Sequence, residues 1–448
     1  MANPLKGFLD VKRREVPFVA LMFLYFFLVI TVFWILKPIK KALFIGFYRR
    51  DFWELWNGAP GETFFGLAGP EAEQLAKVGN MLVAFVAMIV FTLLSRRLHR
   101  QRLTFVFAGF SVAVLLGYLP FVAGEPGQPI VWSFYLFGDL FNTLMVATFF
   151  AFLNDSVAPG DAKRLYGPIV LGGVAGGFFG SYMADTLIDS LDLSQWLMVA
   201  AGLVMVIAAV AWAAGRIVDR DPPPVPEKPT GEPVMPGNAA LEGARLVLAS
   251  RYLLAIVTIV GLYEIISTIL DYQFTSTVDH FVAKEDLDNH FSRVFLITNS
   301  FAFGVQLFLT SAIMTRFGVR VALLIMPIAI LGNSAAFLAL PILWVGSLLN
   351  TTDNGLNYSL NQSAKESLYT PTTRDEKYKA KAFIDMFVQR AAKAIAVGVN
   401  LLLAAWFGGF EAVRWLSIVA IGLVAIWILA ASYAGRRFRE LTGADAPK

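Results

Sequence analysis

Long apolar runs recur along the chain, and short polar segments separate them. Twelve of these runs are close to 20 residues long, while most charged residues fall between them. About 20 apolar residues in helical conformation cross the hydrocarbon core of a bilayer. The predicted spans are 17–46, 77–95, 103–123, 130–153, 166–189 and 194–215, then 252–274, 291–315, 319–339, 342–361, 381–405 and 411–434. The pattern predicts an all-α polytopic membrane protein with twelve transmembrane helices.

A proline-rich segment, DPPPVPEKPTGEPVMPG, lies between the sixth and seventh spans. Its seven prolines disfavour regular structure. We therefore predict an N-terminal six-helix half at 1–215, a cytoplasmic linker at 216–250 and a C-terminal six-helix half at 251–448. Matching pieces recur in the same order in both halves, such as NDS after span four and NQS after span ten. This order indicates a duplicated unit of the major-facilitator kind, in which the substrate site lies near the membrane midplane.

The distribution of basic residues predicts the orientation. With both termini in the cytoplasm, the inside segments and the span ends next to them hold 26 Lys and Arg residues, and the outside loops with their adjoining span ends hold five in addition to Lys77. Cytoplasmic loops of membrane proteins carry such an excess. The first apolar run has no small-residue cleavage site after it, so we interpret it as a span and not as a signal peptide.

The composition excludes several classes of protein. Hydrophobic residues make up 57% and charged residues 16% of the 448 residues, against about 45–50% and about 25% in soluble domains. The chain has no cysteine, and its three histidines fall in predicted loops, so neither a disulfide nor a metal site is expected. The net charge of +4 fits basic cytoplasmic loops and not nucleic-acid binding. No catalytic constellation or cofactor motif is present, and we predict no enzyme activity.

A glycine cluster in span five superficially resembles a nucleotide-binding loop. It consists of Gly172, Gly173, Gly176, Gly177 and Gly180. No strand precedes it and no Lys-Ser/Thr pair follows it, so the nucleotide fingerprint is incomplete. Small residues four apart allow two membrane helices to approach closely. We therefore predict that these glycines pack against another helix.

Three lysines interrupt the first apolar run. Lys37, Lys40 and Lys41 are spaced i, i+3 and i+4, which places them on one side of a helix. A charge at the bilayer centre costs roughly 2.5–3.5 kcal/mol and therefore suggests function. Pro38 can kink the helix at this point. The lysines would attract a multiply charged anion, or they could reach the outer surface as snorkelling side chains.

Other charges lie in or at the ends of predicted spans, namely Asp155, Glu264, Asp271, Lys381, Asp385, Arg390 and Lys393. Glu264 and Asp271 are seven residues apart and so share nearly one helix face. Asp385 could neutralise Lys381 at i+4. Arg390 could bind phosphate in a fork or pair with a carboxylate of span seven.

Four segments resemble the ATP/ADP translocases of non-mitochondrial type, found in plastids and intracellular bacteria. LKPIKKAL at 36–43 is similar to the family's Leu-Arg-Asp-Thr-Lys-Asp-Thr-Leu, and FLND followed by DAKRLY is similar to its Phe-Ala-Asn-Glu and Glu-Ala-Lys-Arg-Phe-Tyr. Residues 263–271 resemble the family's Tyr and Glu segment, and KAKAFID at 379–385 resembles its Lys-Gly-Lys-Ala-Ala-Ile-Asp.

The resemblance implies a bacterial inner-membrane antiporter of ATP and ADP. It carries the family's important charges onto Lys40, Asp155, Asp271 and Lys381, with Asp where the family usually has Glu at both acidic positions. Pro38 and Lys41 stand where the family has Asp, so this segment is more basic than the family's.

From these observations we expect a monomeric nucleotide transporter in the bilayer that works by alternating access. The expected substrate-binding residues are Lys37, Lys40, Lys41, Lys381 and Arg390. The expected gating or charge-pairing residues are Asp155, Glu264, Asp271, Asp385 and Lys393. Two alternatives stay open: a proton-coupled carrier of another phosphorylated or carboxylated anion, and a membrane scaffold that transports nothing.

Overall fold

The computed structural model describes residues 11–49, 67, 69–95, 97–98, 100–124, 126–157, 159–220, 236–373, 376–407 and 409–442. All regular elements in these ranges are helices. The all-α prediction is therefore confirmed.

Six long helices form the N-terminal half. They are α1 (Val16–Phe47), α2 (Gly69–Ser95), α3 (Arg100–Val122), α4 (Gln128–Ser156), α5 (Pro159–Leu187) and α6 (Leu193–Arg220). Proline occupies the first turn of both α1 and α4, where a missing backbone N–H costs nothing. Pro38 lies inside α1, which continues as one helix from Val16 to Phe47.

The C-terminal half is helical as well, but several of its helices are interrupted. It comprises α7 (Pro236–Ala249), α8 (Arg251–Phe281), α9 (Leu287–Gly304), α10 (Ser311–Arg316), α11 (Gly318–Ala339), α12 (Leu343–Leu356), α13 (Gln362–Leu368), α14 (Lys381–Phe383), α15 (Gln389–Phe407), α16 (Phe410–Val413) and α17 (Leu416–Thr442). A π-helical segment, Val305–Thr310, joins α9 to α10, and another, Asn357–Asn361, joins α12 to α13. Two more, Glu376–Ala380 and Ile384–Val388, flank α14.

Ten helical stretches in the described ranges are long and apolar enough to cross a membrane. They correspond to ten of the twelve predicted spans. The two others, 342–361 and 381–405, are helical but contain π turns and several polar or charged residues. The count of twelve spans stays a prediction, whereas a multi-pass helical membrane protein is confirmed.

The chain divides into two compact units. One unit consists of Met1–Lys228 with Ala283–Asn299, and the other of Pro229–Val282 with Ser300–Lys448. Each has its own hydrophobic core. In the first unit Phe26 stacks on Phe149 with ring centroids 4.3 Å apart, and in the second Tyr263 meets Trp427 edge to face at 5.9 Å.

Three sequence expectations differ from the structure. Residues 216–220 and 236–249, predicted as linker, continue α6 and form α7, while 221–235 lie outside the described residues. Residues 283–299 belong to the first unit, although we predicted them within the C-terminal half. His280 and His290 lie in α8 and α9 and not in loops, and His99 is outside the described residues.

Candidate functional site

The glycines of α5 allow α1 to approach closely. A Cβ atom added at Gly172, Gly176 or Gly180 would lie 2.2–2.6 Å from a backbone oxygen of α1. The hydroxyl of Thr31 donates a hydrogen bond to the carbonyl oxygen of Gly176 at 3.3 Å. The predicted packing role of this cluster is confirmed, and it holds the lysine-bearing helix firmly in the first unit.

Lys40 is buried, with 4% of its surface exposed, and its ammonium lies 2.5 Å from Asp139 of α4. The same ammonium donates to the carbonyl oxygen of Tyr135 at 3.4 Å and lies 4.6 Å from the centre of that ring. Asn80 donates a second hydrogen bond to Asp139. A carboxylate and an aromatic face both stabilise a cation, so Lys40 is neutralised within the first unit.

Glycine makes room for the Lys40 side chain. A Cβ atom at Gly138 would lie 2.6 Å from Cδ of Lys40. A larger residue at position 138 would therefore displace the Lys40 side chain from its present path.

Lys41 is paired with a different carboxylate. Its ammonium lies 2.9 Å and 3.2 Å from the two oxygens of Glu73 of α2, which is 1% exposed. The hydroxyl of Tyr135 donates to Glu73 at 2.9 Å, and Lys77 lies 3.7 Å from it. One buried carboxylate thus accepts a hydrogen bond from a hydroxyl group and forms ion pairs with two lysines.

Lys37 turns towards aromatic rings. Its ammonium lies 4.2 Å from the ring centre of Trp34 and 4.8 Å from that of Phe295 in α9, and the side chain is half-buried. The three lysines therefore share one region of α1 but have separate partners. The snorkelling alternative is wrong for Lys40 and Lys41, because both side chains end inside the helix bundle of the first unit.

In the second unit, α8 supplies carboxylates. Glu264 pairs with Lys393 of α15 at 3.3 Å, so these two predicted charges do meet. Asp353 of α12 accepts a hydrogen bond from Ser267 at 2.6 Å. Lys365 is buried, with its ammonium 4.8 Å from the ring centre of Tyr263.

The cations before and within α15 differ in their pairing. Lys381 pairs with Glu366 at 2.6 Å, so the expected neutralisation by Asp385 is not the contact that forms. Asp385 is exposed and accepts a hydrogen bond from Gln389 at 3.1 Å. Arg390 is half-buried and makes no ion pair or hydrogen bond among the described residues. In this structure Arg390 therefore does not pair with a carboxylate of α8, and its role stays a prediction.

Two acidic residues carried over by resemblance take other positions. Asp155 is exposed in the last turn of α4, and Asp271 is half-buried in α8. Asp139 and Glu73 are the carboxylates that pair with Lys40 and Lys41.

Five charged residues of these networks escaped the sequence analysis: Glu73, Asp139, Asp353, Lys365 and Glu366. Asp139 and Asp353 lie within predicted spans, so the rule that intramembrane charges suggest function would have found both. Glu73 precedes the predicted start of span two because the polar segment GPEAEQLA masks the beginning of α2. Nothing in the sequence distinguishes Lys365 and Glu366 from loop residues. In the described part of the chain no group of three His, Cys, Asp or Glu residues could hold a metal ion.

The fold defines a class: a multi-pass helical membrane protein with a major-facilitator-like fold. Solved structures of similar fold are the nucleoside transporter NupG and the POT-family transporter PepTSo. NupG has a TM-score of 0.58 and 13% identity over 94% of this chain and 100% of that one. PepTSo has a TM-score of 0.58 and 11% identity over 95% of this chain and 99% of that one. A bacterial homologue of the lysosomal transporter Spinster follows with 0.55.

The particular family comes from the sequence. The model of the TLC ATP/ADP transporter family matches residues 130–344 and 338–438, and the chain belongs to this family. ADP,ATP carrier protein 1 of Chlamydia trachomatis is 24% identical, covering 98% of this chain and 92% of the carrier. The chloroplastic ADP,ATP carrier protein 2 of Arabidopsis thaliana is also 24% identical, over 69% of this chain. That match spans 56% of the plant carrier's length.

Proposed function

We propose that the protein exchanges ATP for ADP across a membrane by alternating access. Membership of the ATP/ADP transporter family supports this function, as do relatives named as ADP,ATP carriers. The observation that carries it is the buried cationic segment of α1, where Lys40 and Lys41 are held by carboxylates of neighbouring helices. The names of the relatives favour a nucleotide over another organic anion, and a scaffold role has no observation in its favour.

In this proposal, phosphate oxygens compete with the present partners of the cations. Lys37 is half-buried whereas Lys40 and Lys41 are buried, so its ammonium is the first of the three on α1 to meet phosphate. In the second unit Arg390 is half-buried, and its guanidinium suits bidentate contact with a phosphate group. Lys381 can bind phosphate next, because its ion pair with Glu366 is partly exposed to solvent.

Lys40 and Lys41 contribute after a rearrangement. Both are buried against Asp139 and Glu73, so phosphate reaches them only when α2 or α4 shifts relative to α1. A nucleotide that binds the rearranged state more tightly would then favour it, which is the requirement for coupling binding to a conformational change. Asp139 and Glu73 thereby take the role that we expected of Asp155, while Glu264 with Lys393 provides the equivalent pair in the second unit.

Finer assignments are also part of the proposal. We propose an inner-membrane location in a bacterium, with both termini in the cytoplasm, and a monomer as the functional unit. The excess of Lys and Arg in one set of loops supports this orientation.

The test is uptake of labelled ATP into proteoliposomes loaded with ADP. We expect uptake that depends on internal ADP, and a loss of about tenfold or more in Lys40→Met and Lys381→Met. One lost charge-assisted hydrogen bond, about 1.5–3 kcal/mol, accounts for that factor. Arg437→Ala, which breaks the pair with Glu440 near the end of α17, serves as the control and should transport normally.

A second variant separates transport from folding. Lys40→Met leaves Asp139 without its cation, whereas Lys40→Met with Asp139→Asn removes both charges. The double variant should fold and still fail to exchange. Wild-type rates in either single variant, or no nucleotide uptake by the wild type, would contradict the proposal.

A further inference from the structure

A buried carboxylate in the second unit has no part in the exchange proposed for the lysines. Asp353 is 2% exposed. One of its oxygens, Oδ2, accepts the hydrogen bond from Ser267. The other, Oδ1, is buried and has no hydrogen-bond partner, and no described residue forms an ion pair with Asp353. An unpaired carboxylate is costly in such surroundings unless a cation accompanies it.

Three contacts along α8 establish its antiparallel register with the helix that carries Asp353. Tyr252 donates to the carbonyl oxygen of Leu368 at 2.7 Å, and Ser267 bonds Asp353. Near the far end, a Cβ atom added at Gly346 would lie 2.8 Å from Thr277. The two segments therefore run antiparallel, and each step forward along α8 is matched by a step back along the α12–α13 segment. Facing residues have numbers that sum to about 620.

This register brings a second carboxylate and an amide to Asp353. Asp271 lies one turn after Ser267 on α8, and Asn350 lies one turn before Asp353 on α12. Asp271 is close enough to Asp353 for the two carboxylates to interact electrostatically. Asn350 is 2% exposed, and its Oδ1, like that of Asp353, is buried without a hydrogen-bond partner. The Oδ1 atoms of Asn350 and Asp353, which both lack a hydrogen-bond donor or a cation among the described residues, thus lie on one face of α12, opposite Asp271 of α8.

The charged groups around Asp353 do not neutralise it. Glu264 adds negative charge and is itself paired with Lys393. Lys365 interacts with Asp353 from a distance, but its ammonium lies over the ring of Tyr263. Tyr263 is close enough to Asp353 for an electrostatic interaction, and Tyr358 in turn interacts with Tyr263.

We propose that Asp353, with Asp271, Asn350 and Ser267, binds a monovalent cation, a proton or Na⁺, through oxygen atoms alone. A divalent ion such as Ca²⁺ takes about 6–8 oxygen ligands, which is more than this set offers. The role of the cation rests on the proposed function. ATP carries one negative charge more than ADP, and a cation that moves with ATP would balance the exchange.

Cation binding is measured first, without nucleotide, on the purified protein. Thermal stability is compared in NaCl and choline chloride at about pH 8, and then across about pH 6–8 in choline chloride. A ligand that binds the folded state raises stability with its concentration. We expect the wild type to gain stability either from Na⁺ or from protons, and each result identifies the occupant. Asp353→Asn should lose that gain, whereas Asp189→Asn, a change at an exposed residue of the first unit, should keep it.

Asn350→Ala provides a second variant in case Asp353→Asn does not fold. It keeps both carboxylates but removes one oxygen, so the cation should bind several-fold more weakly. Equal responses of the wild type, Asp353→Asn and Asn350→Ala to Na⁺ and to pH would overturn the site.

Transport measurements distinguish a failure of this inference from a failure of the proposed function. In proteoliposomes, wild-type ATP/ADP exchange should respond little to an imposed membrane potential, because the cation balances the extra charge of ATP. Asp353→Asn should continue to exchange but respond several-fold to the same potential. If exchange occurs and the two proteins respond alike, only the cation's role fails. If no nucleotide exchange occurs at all, the proposed function fails while the binding result stands.

Discussion

The first long helix of each half, α1 in the N-terminal half and α8 in the C-terminal half, carries the charges that pair with neighbouring helices, and these charges have opposite signs. Lys40 and Lys41 on α1 are paired with carboxylates of α4 and α2. On α8 the arrangement is reversed, because Glu264 is the residue that receives a cation from a neighbouring helix, Lys393 of α15. In each unit, therefore, a charge on this helix is paired with an opposite charge on a neighbouring helix, and the sign of the charge on the two helices is reversed.

The two sets of pairs differ in their exposure to solvent. The side chains of Lys41 and Glu73 are 6% and 1% exposed, while those of Lys393 and Glu264 are 47% and 11% exposed. Electrostatic interactions strengthen as the local dielectric constant falls. The Lys41–Glu73 pair therefore contributes to the structure of the first unit, whereas Asp139, the partner of Lys40, is 39% exposed. The pair of α8 can exchange partners at lower cost than Lys41–Glu73.

Helix geometry also differs between the two units, and the second unit is the less regular one. Among the described residues, π-helical segments occur at Val305–Thr310, Asn357–Asn361, Glu376–Ala380 and Ile384–Val388, all in the second unit. Such segments are frequent at functional sites because they shift the hydrogen-bond register of a helix. The second unit thus combines loosely paired charges with irregular helices, whereas the first unit has tightly paired charges on a closely packed helix.

The largest expected effect tests the difference in pairing. Glu73→Gln removes the carboxylate that pairs with the buried ammonium of Lys41 and should lower the free energy of unfolding by about 3–5 kcal/mol. Lys393→Met should cost less, about 1–3 kcal/mol, because it leaves Glu264 without its cation but in partial contact with water. The measurement is denaturation of the detergent-purified variants, followed by tryptophan fluorescence.

A double variant provides the control. Glu73→Gln with Lys41→Met removes both charges and should recover part of the lost stability. A cost for Lys393→Met equal to that of Glu73→Gln would remove the distinction between the two units.

A smaller effect tests the close packing of α1. A Cβ atom at Gly176 would lie 2.2 Å from the carbonyl oxygen of Phe27, whereas one at Gly202 in α6 meets nothing within 4 Å. Gly176→Ala should lower the free energy of unfolding by about 1–3 kcal/mol through overpacking. Gly202→Ala should be neutral or stabilising by up to about 1 kcal/mol, since alanine favours a helix. Thermal melts that rank these two variants alike would contradict the packing role.

Much of this contrast can be predicted from the sequence. The apolar runs predict the membrane helices, and the spacing of the glycines predicts the packing of α5, because both depend on local periodicity. The charges of α1 and α8 also stand out against apolar surroundings. Lys40, Glu264 and Lys393 are all identified by the sequence pattern alone.

The partners of these charges cannot be predicted in the same way. The carboxylate of Asp139 reaches Lys40 across 99 positions of the chain, and a single sequence contains no information about which helices are neighbours. Asp155 and Asp271 were expected to pair with the lysines because of the resemblance to a family. A resemblance identifies types of residue at positions of the chain but not the contacts between them. The helical interruptions of the second unit were missed for a different reason: a π turn adds one residue to a turn and leaves the apolar pattern nearly intact.

The smallest expected effect concerns the start of α1. Arg164 of α5 contacts both carboxylate oxygens of Glu15, at 2.5 Å and 2.9 Å, and this contact lowers the pKa of Glu15 from 4.5 to about 2. A lowered pKa in the folded state means that the pair stabilises the protein above about pH 4.5 and loses this contribution as the pH falls towards 2. Since the pair lies near the surface, its contribution should be at most about 1 kcal/mol.

Glu15→Gln should therefore melt slightly below the wild type at about pH 7, and the difference should shrink towards about pH 3. Asp161→Asn is the matched variant, because it removes the other carboxylate that contacts Arg164, at 2.6 Å, and leaves Glu15 in place. In this variant the pH dependence assigned to Glu15 should persist. A melting difference between the wild type and Glu15→Gln that is constant with pH would show that Glu15 does not anchor α1 to α5 through its charge. The contrast between α1 and α8 would then rest on the glycine contacts of α1 and on the pairs of its buried lysines.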